Sequence, residues 1–348
     1  MKSSKTRTKT KASAGQADLR RRCLKSGLLL FALVTAAFPQ NDTDQTFYSR
    51  SNIVLVPALV RNQSGDLVYG LQAKDFILED NGVVQSLRLD QPEDPEPLSI
   101  IVAVETGRKA EHEFPRIRGL SSMLNPILEE PGTEIALVTF DSQIQLLQDF
   151  TSDGGLIEQK LNHLRPGDDG AIVLDTVNYC VGLLNKVPEG RQRVLLLISE
   201  PRDHGSKAAR INNVVTLIGN SNITIYSLVF SPALTSAQRR LRGADTEDVG
   251  APPVDVYALL QLAQAAMKKN TSKAIASQTG GEYELFDSQK EFEARMIDFT
   301  NHLHNRYLLS FQPSDPQPGL HQIRLRLKHP AGAAILARPS YWVQPSSP

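Results

Sequence analysis

Two carboxylates stand at the ends of two apolar runs. Glu105 closes LSIIVAVE (98–105) and Glu200 closes VLLLISE (194–200). Polar loops follow each, carrying Thr106, Gly107, Arg108 and Lys109 after the first and Arg202, Asp203 and His204 after the second. A third polar stretch, GDDGAIVLD, brings Asp168 and Asp169. Gathered carboxylates and hydroxyls are the oxygen donors that a hard divalent cation takes. Two carboxylates facing each other also suit a hydrolase that divides acid and base roles between them. Charge offers a third chemistry. Lys109, or else Arg108, lying between Glu105 and Glu200 would relieve the repulsion of two clustered carboxylates. The plain alternative is that these side chains splay into water.

Other site chemistries leave no pattern. No GxGxxG follows a strand, and there is no Walker loop, HExxH or GxSxG elbow. His204-Gly205-Ser206 has no catalytic frame around it, and the seven histidines do not cluster at ligand spacing. His302 and His304, two apart on a helix, point in different directions. Cys180 falls on the stripe Val173, Val177, Cys180, Val181, Leu184, the place of a core thiol rather than a nucleophile.

The elements that position these groups are legible as continuous apolar runs. LSIIVAVE, EIALVTFD (134–141), VLLLISE and ITIYSLVF (223–230) lack polar alternation, which predicts strands covered on both faces, and EYELF (282–286) is expected to add a further strand. Helical spacing is predicted over 110–128, 156–164, 172–187, 206–219, 254–278 and 288–305, the last opening on the capping box Ser288–Glu291. The expectation is an α/β sheet, mostly parallel, whose ligands bind outside the carboxyl ends of its strands. The polar stretch 232–253 forms a long loop at that same edge. Flanking segments read differently. Residues 51–90 carry short strands with an Asn81-Gly82 hairpin signal, QPEDPEP (91–97) is a linker, and 305–345 returns to a period of two. In QIRLRLKH one face is core and the basic face is solvated. Each flank alone is too small to bury a face, so 51–90 and 305–345 are expected to pack together in one β-rich unit.

The order of strand, acidic loop, helix, VTFDSQIQLLQDFTSD and VLLLISE resembles a von Willebrand factor type A domain, most closely its bacterial relatives. DFILEDNGVVQ upstream, with IASQTGGEYELF and RYLLSFQP downstream, extends the resemblance over roughly 51–345. It implies a Rossmann-like α/β domain, 98–304, that binds proteins through the top of its sheet. Many relatives hold Mg²⁺ there through an Asp-x-Ser-x-Ser loop, a Thr and a further Asp. Carried onto this chain, those positions are Glu105, Gly107, Lys109, Ala171 and Glu200. Three hydroxyl ligands are gone and a cation stands among the remaining carboxylates, so the site is degenerate and no metal or other cofactor is expected.

The N-terminus predicts export. Nine basic residues precede GLLLFALVTAAF (27–38), a pattern of a secretory signal over 1–37, followed by a linker over 38–50. The apolar core is shorter than the ~20 residues of a membrane span, and an uncleaved anchor is the alternative. The 348-residue chain is formally neutral, but losing residues 1–37 removes nine of 38 basic and one of 38 acidic residues, leaving −8. That balance argues against nucleic acid and anionic membrane as partners. Only Cys23 and Cys180 occur, so a mature chain has no internal disulfide; an exported protein of this kind fits a bacterial periplasm or secretome.

The sequence therefore predicts a non-enzymatic, exported binding module recognising another protein or a cell-surface polymer without metal. Contact candidates are Arg108, Lys109, Asp168, Asp169, Arg202, Asp203 and His204. Rival expectations are a Mg²⁺-dependent adhesion domain using Glu105 and Glu200, a structural envelope protein, and a hydrolase.

Overall fold

The computed structural model describes residues 53–90, 96–107, 110–117, 119–230 and 256–344. The expected leader and linker over 1–50, Arg108, Lys109 and the 232–253 loop lie outside the described residues.

The chain opens with β1 (Val54–Arg61), β2 (Phe76–Asp80), β3 (Val83–Gln85) and β4 (Leu87–Asp90). The α/β body follows as β5 (Leu98–Glu105), α1 (Leu120–Leu128), β6 (Glu134–Phe140), β7 (Ile144–Thr151), α2 (Gly154–Asn162), α3 (Val173–Leu184), β8 (Gln192–Ser199), α4 (Ile211–Asn220), β9 (Ile223–Phe230), α5 (Val256–Lys269), α6 (Thr271–Gln278), β10 (Tyr283–Phe286) and α7 (Gln289–His304). Strands β11 (Tyr307–Phe311), β12 (Gly319–Leu327), β13 (Ala334–Leu336) and β14 (Ser340–Val343) close it.

The central sheet has the order β10-β9-β8-β5-β6-β7. Neighbours pair in parallel except the β6–β7 hairpin, which supplies an antiparallel edge. The period of two explains the unbroken apolar runs. Ile100, Val102, Leu196 and Ile198 enter one core with α1 and α7, while Ile101, Ala103, Leu195 and Leu197 enter the other with α3 and α4. All eight residues of β5 are buried, as a strand covered on both faces requires. Each fully buried Leu or Ile here stabilises the fold by roughly 1.5–3 kcal/mol. The sheet is thus a Rossmann-like, mostly parallel core between helical layers, as the sequence predicts.

Two helices differ from expectation. The stretch 110–128 is one short 3₁₀ turn, Ala110–His112, and only then α1. Gly119 takes φ 81°, a left-handed conformation that stops a helix from running through it. The stretch 254–278 breaks at Asn270, whose side chain accepts the Lys273 N–H and so starts α6 afresh. Ser288 caps α7 by accepting the Glu291 N–H, and Glu291 reaches back to the N–H of Asp287 (3.0 Å).

The flanks build two four-stranded sheets, β13-β1-β11-β4 and β14-β12-β2-β3. Antiparallel pairing of β1 with β11 and of β2 with β12 joins the N-terminal segment to the C-terminal one. Val56, Val60, Phe76, Leu78, Leu309, Phe311 and Ile323 form their shared core. Asn81 (φ 47°) and Gly82 (φ 84°) make the two-residue turn between β2 and β3. On the wet face of β12, Arg326 meets Glu79 at 2.9 Å.

A buried charged cluster fastens this β-rich unit to the α/β body. Arg61 of β1 donates to Glu282, which is also 3.0 Å from His302 Nδ1 of α7. Burial, then the Arg61 guanidinium, pushes the His302 imidazole down to about 4. The Glu282 charge beside it is already matched by Arg61, so it does not reverse that direction. His304 points elsewhere, toward Glu130 at 2.9 Å. Cys180 is a fully buried core thiol, its ionisation pushed up by burial.

Candidate functional site

Four loops meet at the carboxyl edge of the sheet, and close backbone packing holds them. Glu105 ends the central strand at 1% exposure. Its Oε2 accepts the N–H of Glu200 (2.7 Å), tying the end of β5 to the end of β8. Thr106 is tied to the other neighbour, its N–H donating to the Phe140 carbonyl at 2.8 Å. The Thr106 carbonyl in turn accepts the N–H of Gly167 (2.8 Å).

Gly107 carries the most informative contact. A Cβ built there would lie 1.9 Å from the Gly170 carbonyl oxygen and 2.9 Å from that of Asp168. Gly170 is pressed in turn on Ser142, where a Cβ would lie 2.4 Å from the backbone nitrogen. Three loops therefore approach one another through glycine backbones, and only glycine fits these close approaches.

Three carboxylates of the crown, Asp168, Asp141 and Asp203, hold these loops. Asp168 Oδ1 accepts the N–H groups of Ser142 (2.9 Å) and Gly170 (2.8 Å), and its Oδ2 accepts the Ser142 hydroxyl. The Ser142 hydroxyl first, then the Gly170 N–H, hold the Asp168 carboxyl below its ordinary value. Asp141 accepts from the N–H groups of Gln143 (2.7 Å) and Asp168 (3.2 Å). Asp203 caps α3, taking the Leu174 N–H at 2.9 Å and the Ser206 hydroxyl at 2.5 Å. Ala171, fully buried, pairs with His204 through two backbone hydrogen bonds of 3.0 and 2.7 Å. The His204 ring stands 3.8 Å from Glu200 Oε2. Asp169 and Arg202 are exposed.

Sequence reasoning missed several members. Asp175, in the first turn of α3, accepts the N–H groups of Lys207 (2.9 Å), Ala208 (3.3 Å) and Ala209 (2.5 Å) and so folds the loop after β8. Its only signal was an acid at a helix start. Beside Thr106 and Asp141 a cleft of about 620 Å³ opens, lined also by Gln143, Gln145, His163 and Arg165. Arg165 is exposed and has no ion pair among the described residues. Nothing in the spacing of the residues marked the cleft, since it forms where the hairpin and the α2–α3 connection face each other.

The donor set does not fit a divalent ion of the adhesion-site kind. At Gly107 the space a ligand side chain needs is filled by the Gly170 carbonyl, and Ala171 offers a buried methyl group. Among the described residues no group of three or more His, Cys, Asp or Glu side chains is placed to hold a metal ion.

No protein-family model and no curated protein matches this chain. Among solved structures it is similar to BatB from Bacteroides thetaiotaomicron, at 13% identity and a TM-score of 0.40 over 59% of this chain and 98% of that one. An aerotolerance-related membrane protein from Bacteroides fragilis is similar at 13% and 0.41, over 59% and 98%. The vWF domain of the pilus tip protein Mfa5 from Porphyromonas gingivalis is similar at 10% and 0.40, over 60% and 96%. The fold itself rests on the strand order and register given above.

Proposed function

We propose that this chain is an exported, non-enzymatic binding module of the von Willebrand factor A type that recognises another protein or a cell-surface polymer without a divalent ion. The observation that carries the reading is the seating of Gly107 against the Gly170 carbonyl, which fills with backbone the place of a metal-ligating side chain. Recognition is then left to charge and shape at the carboxyl edge, where ligands of open α/β sheets bind. Asp168 and Asp203 shape the crown, while Asp169, Arg202 and the His204 ring present its surface, with Arg108, Lys109 and the 232–253 loop as further contacts. Arg165 extends that surface into the cleft beside Thr106. The burial of Glu105 and its bond to the Glu200 N–H argue against acid–base work there. The basic leader supports export, and no helix among the described residues is long and apolar enough to cross a membrane.

Affinity capture from the envelope of the exporting organism tests this. The reading expects a partner retained equally with and without EDTA and lost from the double variant Arg165→Glu, Arg202→Glu. A partner released by EDTA would establish the metal-dependent alternative. Retention by the charge-reversed crown would sink the proposal.

A further inference from the structure

At the opposite end of the sheet a second cleft, of about 340 Å³, separates the β-rich unit from the amino ends of β8 and β9. Its size and its place between two packed units are those of small-molecule sites. One wall is apolar. Along β1, Val56, Ala58 and Val60 enter the β core, whereas the half-buried Leu55 and Pro57 line the cleft. Pro57 pairs in register with Leu308 of β11, which lines the cleft beside it.

Arginines line the rest of the cleft. Arg338 is 5% exposed, and its guanidinium donates to the carbonyls of Gly219 (2.8 Å), Ser340 (2.9 Å), Ser221 (3.2 Å) and Ile218 (3.4 Å). Three of those carbonyls belong to the end of α4 and its exit, and the helix dipole there balances part of the charge. Arg193 Nη2 donates to the Val187 carbonyl at 2.8 Å, and its buried Nε has no acceptor among the described residues. Neither Arg193 nor Arg338 has a carboxylate within 4.0 Å among those residues. The Arg306 side chain is 8% exposed; Nε donates to the Tyr226 hydroxyl (2.8 Å) and Nη1 to the Gly280 carbonyl (2.6 Å). Its buried Nη2 makes no hydrogen bond among the described residues, and the Glu282 carboxylate 3.6 Å away is already shared with Arg61 and His302. Among the described residues, the acids lining the cleft are Glu96, half-buried, and Glu189, exposed. Among the described residues, positive charge is therefore in excess on the buried side of the cleft, and buried charge wants a counter-charge.

We infer that this cleft binds a small amphipathic carboxylate, its head on Arg193 and Arg306 and its apolar body on Leu55, Pro57 and Leu308. A guanidinium pairs with a carboxylate through directed N–H donors, and the apolar wall selects a hydrocarbon tail over a bare inorganic anion. The inference is independent of what the carboxyl edge binds.

Calorimetric titration of the full chain with hexanoate, hexanol and hexylamine tests it. Hexanoate should bind saturably, hexanol at least about tenfold more weakly, and hexylamine not at all. Arg193→Gln and Arg306→Gln should each weaken hexanoate about tenfold or more, the scale of losing one charge-assisted hydrogen bond. Because Arg306 also supports the fold, crystals of the unsubstituted chain soaked in 6-bromohexanoate give a second reading, with the bromine expected against Pro57 and Leu308. Equal binding of hexanol, no saturable binding of hexanoate, or a bromine bound elsewhere would each overturn the inference.

Discussion

Restoring a serine at position 107, where adhesion sites carry a metal ligand, should damage this protein rather than equip it. The new Cβ would stand 1.9 Å from the Gly170 carbonyl oxygen, against ordinary contact beginning near 3.4 Å, so the 168–170 backbone must retreat by about 1.5 Å. The obstacle is main chain and cannot rotate aside as a side chain would. Retreat is blocked from behind as well, because Gly170 lies on Ser142 and the Gly167 N–H is bonded to the Thr106 carbonyl. Overpacking against such a wall costs about 3 kcal/mol, the upper part of the usual range. For a domain of this size that is a fall in melting temperature of roughly 6–10 °C. Gly107→Ala adds the same Cβ without a hydroxyl and should cost nearly as much. Urea melts of both variants, with calorimetric titration of Mg²⁺ into each, provide the assay. The reasoning fails if both variants stay within about 0.5 kcal/mol of the parent, the scatter of neutral surface changes. It fails equally if Gly107→Ser gains Mg²⁺ affinity that Gly107→Ala lacks.

Two further predictions concern what holds the crown and the junction. His302 is held neutral in the folded chain, so its contribution is complete above an unfolded pKa near 6.5 and is lost as pH falls toward the folded value of about 4. Urea melts at pH 7 and pH 4 should differ by up to about 3 kcal/mol more in the parent than in His302→Gln, and equal slopes would refute the assignment. Asp203→Ala should cost about 1 kcal/mol by uncapping α3, whereas Arg202→Glu should leave stability within about 0.5 kcal/mol; thermal melts that reverse this order would refute the division between scaffold and surface.

The fold was legible where one local rule governs each residue. Unbroken apolar runs marked β5, β6, β8 and β9 because both faces of that sheet are covered, and Asn81-Gly82 marked a hairpin because both residues take positive φ. Ser288 similarly announced α7. Legibility ended where two elements compete or two distant loops meet. The apolar spacing of 254–278 runs through Asn270, and only the capping bond to Lys273 shows that the helix restarts there. Gly119 halts a helix that the spacing over 110–128 predicted as continuous. At the crown, the resemblance implied that hydroxyl ligands were missing but not what replaced them. The partner of Gly107 is a carbonyl some sixty residues away, and no spacing rule connects the two. Asp203 read as a surface charge, although its oxygen satisfies a helix N-terminus across the crown.

A divalent ion in a loop crown does two separable things: it cross-links the loops and it offers an open coordination position to a partner. In this chain the first task falls to the protein itself. Glu105 joins β5 to β8, Thr106 joins it to β6 and to the 167 loop, Asp168 binds that loop to Ser142, and Ala171 pairs with His204. Each such bond contributes on the order of 1 kcal/mol net. Because the same loops share them, and because the glycine contacts leave no slack, no loop can shift without breaking several at once. On the reading proposed above, a crown built this way is pre-organised and offers no labile position of the kind that lets a metal-centred site trade a water for a partner's carboxylate. A partner recognised here must match a fixed surface, so substitutions at exposed positions such as Arg202 should act on binding through direct contact, and substitutions at Gly107, Asp168 or Asp203 through the shape of the surface itself.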